Sequence, residues 1–359
     1  MKFRSAIQGL RALAVLLVIA HHFFPETVTG GFFGVDIFFV ISGYIITSTL
    51  LESSQKTLKD FLLEFYARRV RRIIPTALLV IVISVGATFI LLGSITGSDT
   101  ARDGIFASLF IANIHFNSSV VDYFATGLPQ PILQHYWSLA VEEQFYLLWP
   151  LLFFLSRKPS LRFIIVVALS VSSFTYAFIG LAHSSPTVYL STLTRVWELG
   201  AGAIIALSSR RLASTALSNI SATALIVLSL FYTPESDFPG LPALVIVLLT
   251  CGVVINSRSN RFLSSGIMTW IGDRSYTLYL VHWPVFQIAY IYRGTALADT
   301  EKLALLILLA ILSALFFKFI ENPLRHSEGL KRSSTRSIVF GLSATLVTIL
   351  ALISLRSLV

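Results

Sequence analysis

Apolar stretches about as long as a bilayer-crossing helix recur along the whole chain, and this constrains the fold more than any other feature. They lie at 7–24, 32–51, 73–92, 136–155, 163–182, 192–207, 216–232, 239–256, 276–291, 302–320 and 337–355. The expected fold is therefore an all-α integral membrane protein, a polytopic bundle of about eleven transmembrane helices. Composition agrees: 55% of the 359 residues are hydrophobic and 13% charged, against about 25% charged in a soluble domain. Mean hydropathy is +0.80. The first stretch follows Lys2 and Arg4 as a signal peptide would, yet runs into His21, His22, Phe23, Phe24 and Pro25 without a small-residue cleavage site, and reads as a retained helix.

Charge supplies the topology. The segment 105–116 is apolar but short and holds Asn113 and His115; counted as a span, it would invert every later loop. Left outside, it gives cytoplasmic loops with Lys2 and Arg4; Lys56, Lys59, Arg68, Arg69, Arg71 and Arg72; Arg157, Lys158 and Arg162; Arg210 and Arg211; Arg258, Arg261 and Arg274; and Arg325, Lys331, Arg332 and Arg336. The outer segments keep only Arg102, Arg293, Lys302 and Arg356, the asymmetry of the positive-inside rule. The expected N-terminus is cytoplasmic, the C-terminus extracytoplasmic, and 105–116 a re-entrant or interfacial part of an outer loop. The net charge of +9 is thus a topology signal and implies no nucleic-acid partner. Cys251, the single cysteine, excludes a disulfide framework and a thiolate metal cluster.

Polar residues on these helices mark the chemistry, because an ionisable group in hydrocarbon costs about 2.5–3.5 kcal/mol even on insertion scales. Arg11 and His22 are eleven positions apart, which puts them about 20° apart on one stripe of the first helix, whereas His21 falls about 80° off it. In the second span Asp36, Gly43 and Thr47 stack a carboxylate, a gap and a hydroxyl on one face. A hairpin of the first two helices is expected to bring Asp36 to the depth of His22. There it orients the imidazole, or the two merely satisfy each other in a packed hairpin.

In the fourth span Ser138, Glu142 and Tyr146 share a face, next to His135; Glu143 is turned about 100° away, so spacing nominates Glu142. Arg195, Glu198 and Gly202 read as an intrahelical ion pair beside a close helix contact, more structural than catalytic. Ser275, Tyr279 and His282 form another stripe, a substrate contact or a hydrogen-bonded packing cluster. Lys318 and Glu321, before Asn322 and Pro323, are expected to pin the inner end of the tenth span. In the loop before the third span, Arg68, Arg69, Arg71 and Arg72 offer guanidinium forks that suit phosphates or anchor the chain at lipid headgroups. The chain contains no Gly-x-Ser-x-Gly elbow, Walker phosphate loop or His-Glu-x-x-His zinc helix, so a reaction would fall to the membrane histidine and carboxylates, with no metal. No internal repeat favours a transporter.

The segments GLRALAVLLVIAHH, GGFFGVDIFFVISGY, FYARRVRRIIP, HYWSLAVEEQFYLLWP, RVWELGAGA, GDRSYTLYLVHWP and FIENPLR occur in order along nearly the whole chain. Through them the sequence resembles the membrane acyltransferase-3 family, bacterial integral membrane enzymes that O-acylate, usually O-acetylate, surface polysaccharides. The resemblance assigns the family's arginine and histidine to Arg11 and His22, its cytoplasmic arginine motif to Arg68 through Arg72, and its Ser-Leu-x-x-Glu element to Ser138 and Glu142. It implies acyl-CoA, most simply acetyl-CoA, as donor substrate rather than bound cofactor, and a polysaccharide or lipid-linked glycan such as lipopolysaccharide O-antigen as acceptor. The implied setting is the bacterial inner membrane and its lipids.

On this reading the donor's three phosphates dock at the arginine motif, its arm passes Arg11, and the thioester meets His22. That imidazole is either general base or transient acyl carrier, oriented by Asp36 or Glu142. His135, Ser138, Tyr146, Arg195, Glu198, Tyr279 and His282 are acceptor contacts or supports. Residues 1–325 form the acyltransferase domain; 326–359 supply a cytoplasmic link and an eleventh helix of the kind that, in relatives, leads to an extracytoplasmic SGNH-type domain. The competing function is a transporter or flippase of lipid-linked glycans that makes no bond; a structural or receptor role explains polar residues on several helices poorly.

Overall fold

A computed structural model describes residues 5–53, 57–118, 129–156, 158–182, 188–208, 214–232, 238–256 and 260–357. Lys2, Arg4, Lys56, Arg157, Arg210, Arg211 and Arg258, used in the charge argument, lie outside them. The described residues are helical, without a strand. In order they form α1 (Ser5–Phe23), a 3₁₀ turn (Gly31–Phe33), α2 (Gly34–Leu51), α3 (Leu58–Leu92), α4 (Ser94–Ser108), α5 (Ala112–Ser118), α6 (Tyr136–Leu155), α7 (Pro159–Ala182) and α8 (Thr192–Ser208). Then follow α9 (Thr215–Phe231), α10 (Leu241–Ile255), α11 (Gly266–Arg293), α12 (Asp299–Phe316), a π turn (Phe317–Glu321), α13 (Asn322–His326), α14 (Glu328–Lys331) and α15 (Ser334–Arg356).

Each of the predicted apolar stretches falls on a helix. Among the described residues seven helices are long and apolar enough to cross a membrane: α1, α2 with its 3₁₀ turn, α3, α6, α7, the α12-to-α14 segment and α15. The apolar α9 and α10 are shorter. α8 and α11 carry charges within their length, Arg195 and Glu198 in one and Asp273 and Arg274 in the other. The ambiguous segment 105–116 is not one helix. α4 ends at Ser108, Phe110 adopts a positive φ of 55°, and α5 starts at Ala112. His115 Nε2 lies 2.8 Å from Asp103 Oδ1, and its ring stacks on Phe106 at 4.1 Å. These contacts fold the corner back on itself.

The chain divides into two compact units, residues 1–54 with 141–275, and 55–140 with 276–359. In the first, small residues set the helix contacts, as in membrane interiors where close backbone approach replaces the hydrophobic drive. A Cβ on Gly43 would stand 1.8 Å from the Leu199 carbonyl oxygen, and one on Gly202 2.0 Å from that of Val40. These contacts and the Asp36–Arg195 pair advance together along α2 and α8, so the two helices run in the same direction. Gly9 meets the Leu263 backbone and Gly272 that of Gln8, seating α1 against the start of α11.

In the second unit α3 is the spine. Thr57 caps it, accepting from the Asp60 amide at 3.1 Å, and its 35 residues reach about 52 Å, well beyond a hydrocarbon core of about 30 Å. Its first four turns are charged and amphipathic and the remainder apolar. Pro75 lies inside the helix, where it removes one ladder hydrogen bond. The hydroxyls of Tyr276 and Tyr136 donate to the Ile73 and Ala77 carbonyls on either side, each at 2.8 Å. Glu321, almost fully buried on the π turn, accepts from the Thr277 hydroxyl, while Lys318 lies over the Phe319 ring at 5.2 Å. The expected pin at this end is carried by Glu321 against α11.

Candidate active site

In the first unit, α1 carries Arg11 and His22. Arg11 is buried, and its Nη1 donates to Gln8 Oε1 at 3.2 Å. His21 is committed to structure: its Nδ1–H donates to the Val28 carbonyl at 2.9 Å, its ring meets Phe32 edge-on at 5.5 Å, and its Cβ closes over Gly31. His22 is half-buried beside it, ring centroids 5.5 Å apart. His21 thus holds the α1–α2 turn.

Asp36 does not sit at the depth of His22. Gly31 lies against Leu17 and His21, and Gly34 against Ala14 and Val18. The antiparallel register therefore carries Asp36 to about the level of Ala14, some eight residues or about 12 Å from His22 along α1. Its partner is on another helix: Arg195 Nη2 donates to Asp36 Oδ1 at 3.0 Å. Arg195 Nη1 also lies 3.1 Å from Glu198 Oε1, and all three side chains are fully buried. The guanidinium is enclosed by the rings of Tyr189 at 5.2 Å and of Phe39 and Phe238, each at 5.5 Å. The intrahelical pair and the close contact at Gly202 follow the sequence expectation. The second carboxylate, 159 positions from Arg195 in the chain, does not.

Glu142 is held from two sides: the Ser42 hydroxyl donates to Oε1 at 2.8 Å and the Tyr146 hydroxyl to Oε2 at 3.0 Å. Trp149 Nε1 donates to Thr47 Oγ1 at 2.8 Å one turn further on. The polar face of α2 therefore serves two neighbours, α8 through Asp36 and Gly43, and α6 through Ser42 and Thr47. Glu142 and Tyr146, four apart on one face of α6, are in contact; Ser42 carried no periodic signal.

In the second unit, the Tyr279 hydroxyl lies 2.6 Å from Ser138 Oγ and donates to the His135 carbonyl at 3.2 Å. His135 Nε2–H donates to the Leu280 carbonyl at 3.0 Å, and His282 Nδ1–H to the Tyr279 carbonyl at 2.5 Å. The two imidazole centroids are 5.6 Å apart. His135, Ser138 and His282 are all buried, so Tyr279 and His282 form one cluster with His135 and Ser138, as a stripe on α11 facing the start of α6 requires.

The arginine motif on α3 is only partly open. Arg68 pairs with Glu64 one turn back, Arg71 Nη1 donates to Ser337 Oγ at 2.8 Å, and Arg69 lies over the Phe65 ring at 5.8 Å. Arg72 is half-buried and makes no ion pair among the described residues. No group of three or more metal-binding side chains occurs among the described residues.

Residues 4–320 match the family described as an acyltransferase domain. The chain is 34% identical over 349 residues to O-acetyltransferase OatA of Staphylococcus aureus strain NCTC 8325, across 90% of this chain and 57% of that protein. It is also 34% identical over 350 residues to peptidoglycan O-acetyltransferase OatA of Listeria monocytogenes, across 90% of this chain and 56% of that one. The chain thus spans little more than half the length of these relatives. No solved structure matches it. With its polar positions borne on apolar helices and the family match running through all but the last of them, the chain belongs to the acyltransferase-3 family of membrane-associated acyltransferase domains.

Proposed function

We propose that this protein is a multi-pass bacterial inner-membrane O-acyltransferase, with its N-terminus in the cytoplasm, that moves an acetyl group from acetyl-CoA to a sugar hydroxyl of a surface polysaccharide. Peptidoglycan, named for one relative, and lipopolysaccharide O-antigen are the two acceptor classes to compare. One observation carries the reading of the chemistry: His21 is fixed by the Val28 carbonyl and by Gly31, while its neighbour His22 lies on the Arg11 stripe of the same helix.

His22 takes the proton of the attacking hydroxyl, or receives the acetyl group from the thioester sulfur and passes it on, the departing thiolate leaving with a proton. Arg11 steadies the donor's polar arm, and the Arg68–Arg72 motif, with Arg72 foremost, takes its phosphates. Asp36 and Glu142 are assigned here to the framework: Asp36 holds α8 through Arg195, and Glu142 holds α2 through Ser42. The cluster of His135, Ser138, Tyr279 and His282 supports the start of α6.

Replacing His22 with Ala should lower acetyl transfer by about 10²–10⁴-fold, the usual worth of a positioned acid–base group, with an unchanged melting transition. Labelled acetyl-CoA and each acceptor, incubated with protein in lipid nanodiscs, provide the measurement. Wild-type turnover by that variant would remove His22 from the chemistry. Absence of label on either glycan with the wild-type chain would favour a flippase.

A further inference from the structure

The family match ends at residue 320, yet the arginine motif on α3 is in contact with the chain beyond it. Ser337, on the first turn of α15, is fully buried and ties three segments together. It accepts from Arg71 Nη1 at 2.8 Å and donates to the Leu330 carbonyl at 2.7 Å. One turn further along α15, a Cβ on Gly341 would stand 2.5 Å from Val70 Cγ1, so the two helices touch beside the motif. Lys331 and Arg332 follow Leu330 directly and Arg336 precedes Ser337; all three are exposed and make no ion pair among the described residues. Residues 64–72 and 328–337 together hold seven cationic side chains against only Glu64 and Glu328.

A lipid-headgroup anchor needs positive charge at the right depth and little else, because long side chains reach the interface from many rotamers. Here a guanidinium is fixed by a buried hydroxyl, which is itself fixed by an α14 carbonyl, and α3 and α15 touch side by side. Such an arrangement holds two groups of cations at a set spacing, which suits a compact polyanion bearing several phosphates.

We propose that Lys331, Arg332 and Arg336 form the second half of a polyphosphate site whose first half is the arginine motif, so that the α14–α15 segment binds the phosphates of the coenzyme A donor. The inference rests on the donor role assigned above to the arginine motif. The phosphate could equally belong to an anionic lipid, and the test separates the two sources.

The full chain in nanodiscs of neutral phosphatidylcholine is titrated with radiolabelled acetyl-CoA. Three proteins are compared: wild type, Arg72→Gln, and the triple variant Lys331→Gln/Arg332→Gln/Arg336→Gln, whose exposed positions leave the packing intact. Both variants are expected to bind acetyl-CoA about tenfold more weakly, with a shallower dependence on salt. If Arg72→Gln weakens binding and the triple variant does not, the second half-site is refuted and the donor role of the motif stands. No binding by wild type, or wild-type affinity in Arg72→Gln, refutes the donor role and this inference with it. A triple variant that keeps its affinity for acetyl-CoA but loses enrichment of phosphatidylglycerol from mixed nanodiscs identifies the segment as a lipid anchor and overturns the proposal.

Discussion

Arg195 and Arg72 bring the same guanidinium into two different surroundings. Arg195 is fully buried with Asp36 and Glu198 on its nitrogens at 3.0 and 3.1 Å and three aromatic rings around it. Arg72 stands on the charged end of α3, half-exposed, among cations that outnumber their carboxylates. A charge taken fully out of water has to be compensated within the fold, because the cost of leaving it bare exceeds what the surrounding packing can offset. At the end of a helix longer than the hydrocarbon core is thick the cost is small, and the cation needs no buried counter-charge. Buried charge here is architecture, and the half-exposed charge is the part to which the donor role is proposed.

The comparison breaks most directly at Arg195. Its replacement by Met should destabilise the protein by about 3–5 kcal/mol, since two buried carboxylates lose their counter-ion. Replacing Asp36 and Glu198 with Leu in the same chain should restore most of that loss. Thermal unfolding in detergent reads both steps, and a fully stable Arg195→Met would show that the knot is not structural. Gly43→Ala tests the contact that brings the knot together: a methyl 1.8 Å from a backbone carbonyl must push α2 from α8, at about 1–3 kcal/mol. An unchanged melting point there would mean that the two helices adjust freely. The smallest effect belongs to the exposed region. Glu64→Gln releases Arg68, and acetyl-CoA should then bind at most about fivefold tighter, because a partly exposed pair is worth about 0–1 kcal/mol. Weaker binding instead would make Glu64 an organiser of the phosphate site rather than a competitor for it.

Much of the architecture was legible along the chain because helical period and hydropathy are local. Arg195, Glu198 and Gly202 were readable as a pair beside a close contact since all lie within two turns of one helix. The depth of Asp36 was not readable. A short hairpin suggested that it would meet His22, whereas the 3₁₀ turn at Gly31–Phe33 and the contacts of Gly31 and Gly34 set a register that carries it away. Thr277 on α11 as the partner of Glu321 was not readable either.

What the sequence determined by itself is therefore the set of helices, their apolar lengths and the polar positions each presents, all of which follow from residues within a few turns of one another. The tertiary structure alone decided who meets whom: Asp36 with Arg195, Ser42 with Glu142, Tyr279 with Ser138 and Arg71 with Ser337. Such partners lie 100 to 266 positions apart. Their meeting depends on which glycine faces let two helices close, and that is a property of the packed bundle, which no single helix encodes.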